Sequence, residues 1–96
     1  MHARVSTVIA PAERAKETRT RLTEEFAPKA KEIPGLSKAY FLQDASTGKV
    51  VVVTLFESEA ALRGSEEAAK GVREAAVGAL GATIESVDEF EVIAQI

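Results

Sequence analysis

The fold of this chain is decided by residues 33–62, which read IPGLSKAYFLQDASTGKVVVVTLFESEAAL. The Pro-Gly pair at 34–35 predicts a turn, because proline fixes φ and glycine tolerates positive φ. Two apolar segments, 36–43 and 49–56, lie on either side of a short polar connection, a pattern typical of a β-hairpin. Ser58 then offers an N-cap for a helix. The stretch therefore predicts a turn, two strands and a helix, in that order.

The second strand of this hairpin is apolar on both of its faces. Successive side chains of a strand point to opposite faces. One face carries Val50, Val52, Thr54 and Phe56, and the other carries Val51, Val53 and Leu55. The chain has enough helix to cover one face of a small sheet, and burying each such side chain stabilises the fold by ~1.5–3 kcal/mol. We therefore expect a second copy of the sheet to cover the other face, in a homodimer.

The composition of the 96 residues limits the classes of function. A chain of this length is expected to form one domain, 1–96, which gains buried surface from self-association. A net charge of −3 is not typical of a protein that binds nucleic acid or a membrane surface. Cysteine is absent, which excludes disulfides and thiolate metal sites. No segment has the length of a membrane span or the pattern of a signal peptide, so the expected location is cytoplasmic.

Hydrophobic periodicity predicts a strand and a helix before the hairpin. Residues 3–10 alternate as a strand, with Arg4 on the face opposite Val5. Residues 12–32 carry apolar side chains at helical spacing. Pro28 falls inside this helix, where a proline costs ~3 kcal/mol or more. We therefore expect a kink there, or a new short helix that begins at this residue.

A second helical region and a last strand follow the hairpin. Ser65 is a second possible cap, and it divides the region into a short helix over 59–64 and a longer one over 66–79. Residues 85–96 are predicted to be the last strand, again with apolar residues on both faces.

The order β-α-β-β-α-β predicts an α+β fold of the ferredoxin-like type. Right-handed crossovers give a four-stranded antiparallel sheet with both helices on one face. In that sandwich the strand order is 4-1-3-2, so the first and third strands are central. This position agrees with the apolar character of both faces of the third strand.

Three motifs resemble the antibiotic biosynthesis monooxygenase-like family. They are PGL at 34–36, TGKVVVVTLFESEAAL at 47–62 and SEEAA at 65–69. The resemblance covers nearly the whole chain and implies the dimeric α/β barrel, in which two sheets pack face to face in a homodimer. Some members of this family oxidise aromatic polyketides with oxygen and no bound cofactor, others degrade haem, and many have no established activity.

The catalytic residues of that family do not carry over to this sequence. The haem-degrading branch uses Asn, Trp and His, and the polyketide-oxidising members use Trp, Asn and Tyr. This chain has neither Asn nor Trp, so only Tyr40 matches, and haem is expected to be neither a substrate nor a tightly held cofactor. The resemblance implies a monooxygenase without a cofactor that acts on a small aromatic substrate. The missing residues favour the alternative, a non-catalytic or stress-related dimer that holds a small apolar ligand.

Two polar side chains of the first strand are candidates for catalysis. His2 is the only histidine and the usual type of general base near neutral pH, or else a solvated residue near the chain end. It has no Cys or Asp nearby with which to bind a metal ion, so it is a poor candidate for a metal site. Arg4 lies on a central strand, where a buried guanidinium needs a carboxylate partner. Its alternative role is to bind an anion or enolate in a cavity. The last strand offers it Glu85, Glu89 and Glu91.

Tyr40 is the third candidate, and it is the best single residue for a hydrogen bond to a phenolic or carbonyl ligand. Tyr40 and Phe41 are neighbours on one strand, so they face opposite sides of the sheet. One is expected to contact the helices and the other the partner sheet. The alternative role of both side chains is packing, since aromatic residues dominate cores and interfaces.

The second helical region is rich in Ala and Gly, and its inward stripe is Leu62, Ala69, Val72, Ala76 and Leu80. Small residues either let a helix pack close to the sheet or leave a cleft. We expect one cleft per subunit, walled by this helix and the sheet. Its expected polar group is Tyr40 or Arg4, and its expected apolar lining is Phe56, Leu62, Ala69 and Val72.

Overall fold

A computed structural model describes residues 1–96 and contains the predicted strands and helices in the predicted order. The strands are β1 (His2–Ile9), β2 (Leu36–Asp44), β3 (Lys49–Phe56) and β4 (Thr83–Glu91). The helices between β1 and β2 are a 3-10 turn (Ala12–Arg14), α1 (Ala15–Arg21), a π-helical segment (Leu22–Phe26) and α2 (Ala27–Ala30). The helices between β3 and β4 are α3 (Glu59–Gly64) and α4 (Glu66–Leu80).

The four strands form one antiparallel sheet in the order β2-β3-β1-β4, with the helices on one face. This is the predicted ferredoxin-like arrangement, because the order 4-1-3-2 is the same order counted from the other edge of the sheet. In the register, Arg4 of β1 pairs with Thr54 of β3 on one side and with Glu89 of β4 on the other. The prediction that β1 and β3 are central is confirmed.

The helical region after β1 changes type before Pro28. Pro28 lies in the first turn of α2, so the new short helix expected near this proline is confirmed. Proline has no N–H, and its ring excludes the carbonyl of the residue four positions earlier, here Glu24. Glu24 belongs to the π-helical segment, whose wider turn makes room for the ring.

The helices after β3 follow the prediction, but Ser65 has an unexpected role. Ser58 caps α3, since its hydroxyl accepts a hydrogen bond from the Ala61 N–H at 3.1 Å. Ser65 precedes α4 but makes no side-chain cap. Its buried hydroxyl instead donates to the Leu62 carbonyl at 2.6 Å. Helix α4 ends at Leu80, and Gly81 follows it with a positive φ of 62°, which suits a glycine.

The prediction of a last strand over 85–96 is wrong at both ends. β4 spans Thr83–Glu91, and a single further backbone bond joins Val92 N–H to the Met1 carbonyl at 2.9 Å. β1 begins at His2, so no strand remains beside the residues after Val92. Ile93 and Ile96 consequently extend from the sheet with exposed side chains.

The turn between β2 and β3 is closed by polar contacts and by a glycine. Asp44 accepts hydrogen bonds from the Ser46 N–H at 3.0 Å and from the Ser46 hydroxyl at 2.7 Å. These bonds hold the pKa of the Asp44 carboxyl below its usual value. Gly48 has a φ of 80°, and a Cβ there would collide with the Ala10 carbonyl. The Ala10 N–H donates to the Gly48 carbonyl at 2.9 Å.

The two faces of the sheet have different surroundings. The helix face, covered by the helices, comprises Arg4, Ser6 and Val8 of β1, Phe41 of β2 and Val50, Val52, Thr54 and Phe56 of β3. The open face comprises Ala3, Val5 and Thr7 of β1, Lys38, Tyr40 and Leu42 of β2, Val51, Val53 and Leu55 of β3, and Ser86, Asp88 and Phe90 of β4. No helix in the structure combines the length and the apolar character needed to cross a membrane.

Candidate functional site

A cavity of about 80 Å³ lies between the helix face of the sheet, the first helical region and α4. Fourteen of its eighteen lining residues are hydrophobic, so it suits an apolar molecule. The sheet contributes Val8, Phe41, Val50 and Val52, the first helical region contributes Leu22 and Phe26, and α4 contributes Ala69, Val72, Ala76 and Val77. We call this space the sheet–helix cavity. It lies where the sequence predicts a cleft.

The cavity exists because small side chains face the middle of the core. The buried apolar residues form two separate clusters, one around Phe26 and Val50 and the other around Phe56 and Leu62. Phe41 packs against both clusters, and α4 passes along both of them. Where a continuous core would take Leu or Phe from this helix, α4 presents alanine, and the space between the clusters stays unfilled.

Arg4 is the polar residue most deeply buried at the cavity, with 2% of its surface exposed. Its Nη1 donates to the Ser65 hydroxyl at 3.1 Å and its Nη2 to the Leu62 carbonyl at 3.1 Å. Nη2 also lies 2.7 Å from Glu66 Oε2 and 3.4 Å from Glu89 Oε2. Glu89 is one of the partners that the sequence predicts. Glu66, Ser65 and Leu62 lie more than fifty residues away along the chain and were not predicted.

One donor of Arg4 remains without a partner. The Nε atom is buried and makes no hydrogen bond, although an unsatisfied buried donor costs ~1–3 kcal/mol. The guanidinium lies 5.6 Å from the centre of the Phe56 ring, which holds it by a cation–π contact. Arg4, Ser6, Thr54 and Arg73 form the polar part of a cavity that is otherwise apolar.

His2 is not part of this cavity. Its Nε2 lies 3.7 Å from a carboxylate oxygen of Glu59, and its side chain is 21% exposed, so it is more enclosed than a solvated terminal residue. Its Nδ1 is buried and has no partner. No three His, Cys, Asp or Glu side chains come together as a possible metal site.

Tyr40 lies on the open face, opposite Val53, with half of its side chain exposed. Phe41 points the other way and lines the cavity, so the prediction that these neighbours face opposite sides is confirmed. Of the expected pocket residues, Ala69 and Val72 line the cavity. Phe56 and Leu62 are fully buried in the cluster beside it and do not line it.

No family model matches the chain, and no curated protein matches it. Solved structures do match over its full length. A candidate antibiotic biosynthesis monooxygenase from Deinococcus radiodurans is 23% identical, with a TM-score of 0.73, 100% of this chain covered and 96% of the other. The chain has the fold of the antibiotic biosynthesis monooxygenases.

Two further structures with this fold contain small molecules. The monooxygenase ActVA-Orf6 of Streptomyces coelicolor, in complex with nanaomycin D, is 19% identical with a TM-score of 0.69, covering 99% of this chain and 89% of the other. The heme-degrader MhuD of Mycobacterium tuberculosis, with two hemes in its active site, is 24% identical with a TM-score of 0.70, covering 100% and 99%. Identities this low establish a shared fold, so the chemistry has to be argued from this chain's residues.

The antibiotic biosynthesis monooxygenase fold here encloses a cavity with few reactive groups. Its lining includes two arginines, Arg4 and Arg73, and the hydroxyls of Ser6 and Thr54, but no His, Tyr, Cys or carboxylate. Such a site can exclude water, hold an aromatic ring and stabilise negative charge on it. Arg73 was not predicted to line the cavity. Its helical spacing relative to Ala69, Val72 and Ala76 places it on the same side of the helix, and this spacing can be read from the sequence.

Proposed function

We propose that this protein is a homodimeric monooxygenase without a cofactor, which oxidises a small, readily oxidised aromatic molecule in the sheet–helix cavity. The observation that carries the proposal is an enclosed apolar cavity with a buried guanidinium at its wall, whose Nε–H has no partner. The fold, shared along the full chain with the monooxygenases described above, supports the same conclusion.

The reaction proposed is the oxygenation of a single-ring quinol. A benzene-1,4-diol and O₂ give a 2-hydroxy-1,4-benzoquinone and water. One oxygen atom forms a new C–O bond on the ring and the other leaves as water, and the quinol supplies all four electrons. The Arg4 Nε–H would donate a hydrogen bond to a quinol oxygen and orient the ring, while the carboxylates of Glu66 and Glu89 already neutralise the positive charge of the guanidinium. The apolar walls would keep water from the reacting ring.

The size of the cavity restricts the substrate to one ring. In T4 lysozyme, an engineered cavity of ~150 Å³ lined by Leu, Ile and Phe takes up benzene. The cavity here is about 80 Å³, so even one ring requires the walls to move outward. The haem macrocycle is far larger, and the only imidazole, that of His2, lies elsewhere. We therefore expect no haem binding, which a titration monitored at the Soret band tests.

The homodimer is proposed from the open face. Tyr40, Leu42 and Phe90 are each about half exposed there, beside the partly exposed Val51 and Val53. A contiguous apolar surface of this kind typically marks an interface. Packing two open faces together would bury it, and Tyr40, the candidate from sequence, would then lie inside the barrel rather than in the sheet–helix cavity.

A non-catalytic ligand-binding protein is the second candidate. The observation in its favour is that the cavity lining contains no His, Asp, Glu, Tyr or Cys, the usual side chains for a general base. In this case the cavity would bind the same small aromatic molecules without oxidising them.

Oxygen uptake with a panel of single-ring quinols separates the two candidates. Ala76→Leu is expected to fill the cavity and abolish uptake above the rate in buffer, while Lys70→Gln, on the outer side of the same helix, keeps it. With ¹⁸O₂, one labelled atom is expected in the quinone. Uptake that survives Ala76→Leu but is lost in Tyr40→Phe would move the site to the open face. Binding without uptake would favour the non-catalytic protein.

A further inference from the structure

Arg73 is a charged residue on the inner side of α4. It lines the sheet–helix cavity with Ala69, Val72, Ala76 and Val77 of the same helix. These positions follow the spacing i, i+3, i+4, i+7 and i+8, which packs one side of a helix on a core. Such a position normally carries an apolar residue, because burying part of a charge costs free energy. Arg73 therefore stands at a position where the pattern of α4 predicts an apolar residue.

The guanidinium of Arg73 has no carboxylate partner in the chain. Four other arginines form ion pairs with glutamates: Arg4, Arg14, Arg21 and Arg63. Arg19 is also unpaired, but it is exposed to solvent, whereas Arg73 is half-buried. On α4, no position three or four residues from Arg73 carries an acid. A half-buried cation without a partner, at a cavity wall, is suited to an anion from outside the chain.

Arg4 cannot serve as that anion site. Its single positive charge lies between the carboxylates of Glu66 and Glu89, so this group of three side chains carries a net charge of −1. An added anion would be repelled there, and only the Nε–H is free to donate a hydrogen bond to a hydroxyl or carbonyl oxygen. Arg73 is the one positive charge at the cavity that is not neutralised.

We infer that Arg73 binds the carboxylate of the ligand, and that the ligand class is a single-ring aromatic acid. The inference rests on the proposed function, because it places the aromatic ring in the same cavity. The ring would lie among the apolar walls with its carboxylate on the planar fork of Arg73, which matches a carboxylate with two parallel hydrogen bonds. Because Arg73 is only partly buried, the carboxylate keeps part of its hydration and avoids the full cost of burial.

The test compares two probes of the same shape and different charge, 2,5-dihydroxybenzoate and the neutral 2,5-dihydroxybenzamide, by calorimetric titration without oxygen. We expect wild-type protein to bind the acid about tenfold more tightly than the amide. The preference is expected to disappear in Arg73→Gln, to be kept in part in Arg73→Lys and to be unchanged in Lys70→Gln. Melting curves check folding, and Arg73→Gln is expected to melt no lower than wild type.

The outcomes separate this inference from the proposed function. Equal affinity of wild type for both probes, or a preference for the acid that survives Arg73→Gln, would overturn the role of Arg73 and leave the cavity as the binding site. A preference carried by Arg73 without oxygen uptake would uphold it and refute the oxygenation. If neither probe binds wild-type protein, both the cavity site and the role of Arg73 are refuted.

Discussion

The two faces of the sheet differ in how their side chains are packed, because helices cover only one of them. On the helix face, Phe56 and Val50 are almost fully buried, yet a cavity and a buried arginine interrupt the core. On the open face, Val51 and Val53 belong to a continuous apolar surface that no helix covers. The helix face is therefore covered but has a cavity beside it, whereas the open face is apolar and has no cover.

The difference indicates that assembly depends on one face of the sheet and ligand binding on the other. The centre of the open face is apolar, and the charged side chains of Lys38 and Asp88 lie on its two edge strands, β2 and β4. Such a surface is suited to association, and its central residues can be exchanged only at a cost to assembly. Between the helix face and α4, the alanines of α4 leave a cavity with Arg4 and Arg73 in its lining, and this is expected of a site that must admit a ligand. Substitutions on the open face should then change assembly, while substitutions on the helix face should change ligand binding.

The largest effect is expected from a charge on the open face. Val53→Asp would place an unpaired carboxylate at the centre of the proposed interface, where burying it costs about 3 kcal/mol or more. We expect the dimer to dissociate or the chain to unfold, as measured by light scattering and circular dichroism. Ala45→Asp, which adds the same charge in the exposed hairpin turn, is the control. If wild-type protein is a folded monomer at micromolar concentration, the proposed use of this face is wrong.

A smaller effect is expected from the buried arginine of the helix face. Arg4→Met removes the donor for the Leu62 carbonyl and for Ser65, and it leaves the carboxylates of Glu66 and Glu89 without their cation. The acids are 49% and 40% exposed and keep much of their hydration, so we expect a loss of ~1–3 kcal/mol in urea unfolding.

Arg63→Met is the matched control for Arg4→Met, because it breaks an exposed pair with Glu59. It should change stability by at most ~0.5 kcal/mol. Adding Glu66→Gln and Glu89→Gln to Arg4→Met should restore part of the loss. Equal losses of stability in Arg4→Met and Arg63→Met would show that the buried Arg4 network stabilises the fold no more than an exposed ion pair does.

The next effect compares two alanines of α4. Ala69 is already buried among the residues around Phe56, whereas Ala76 is partly exposed beside the cavity. Ala69→Leu should overpack the core and cost ~1–3 kcal/mol. Ala76→Leu should enter the cavity and leave stability unchanged or raise it by ~0.5–2 kcal/mol. Urea midpoints measure both, and an equal loss for the two variants would show that the cavity cannot accept side-chain atoms.

Much of this comparison could be predicted from residues 47–62 and from the stripe of α4. Strict alternation along β3 divides its side chains between the faces, and the run of alanines in α4 indicates incomplete packing. The face of Tyr40 could not be predicted, since it depends on pairing with Val53 after a register shift between Leu36 and Lys38. Alternation alone states only that Tyr40 and Phe41 differ.

The partners of Arg4 and the end of β4 depend on contacts between distant segments. Glu66 reaches Arg4 only because α4 begins above β1, a placement that no local pattern contains. Phe56 and Leu62 are apolar and inward, as expected, but they pack together in the cluster beside the cavity and do not line it. The apolar residues after Glu91 favour a strand, yet β1 starts at His2 and offers them no neighbour.

The smallest effect is expected at Asp44, in the turn where both faces end. Its hydrogen bonds to Ser46 lower the pKa of the carboxyl, so the charged form is favoured by folding. The resulting stabilisation is complete above the unfolded pKa, near 3.8, and is lost as the pH falls through the lower pKa of the folded state. Asp44→Asn keeps an acceptor for Ser46 but does not titrate.

We expect the urea midpoint of wild type to fall slightly more between pH 7 and pH 3 than that of Asp44→Asn. Ser46→Ala, which removes the side-chain donor, should reduce this difference. If wild type and Asp44→Asn lose the same stability, the turn does not contribute to the acid sensitivity of the fold, which then depends on the glutamates that pair with the arginines.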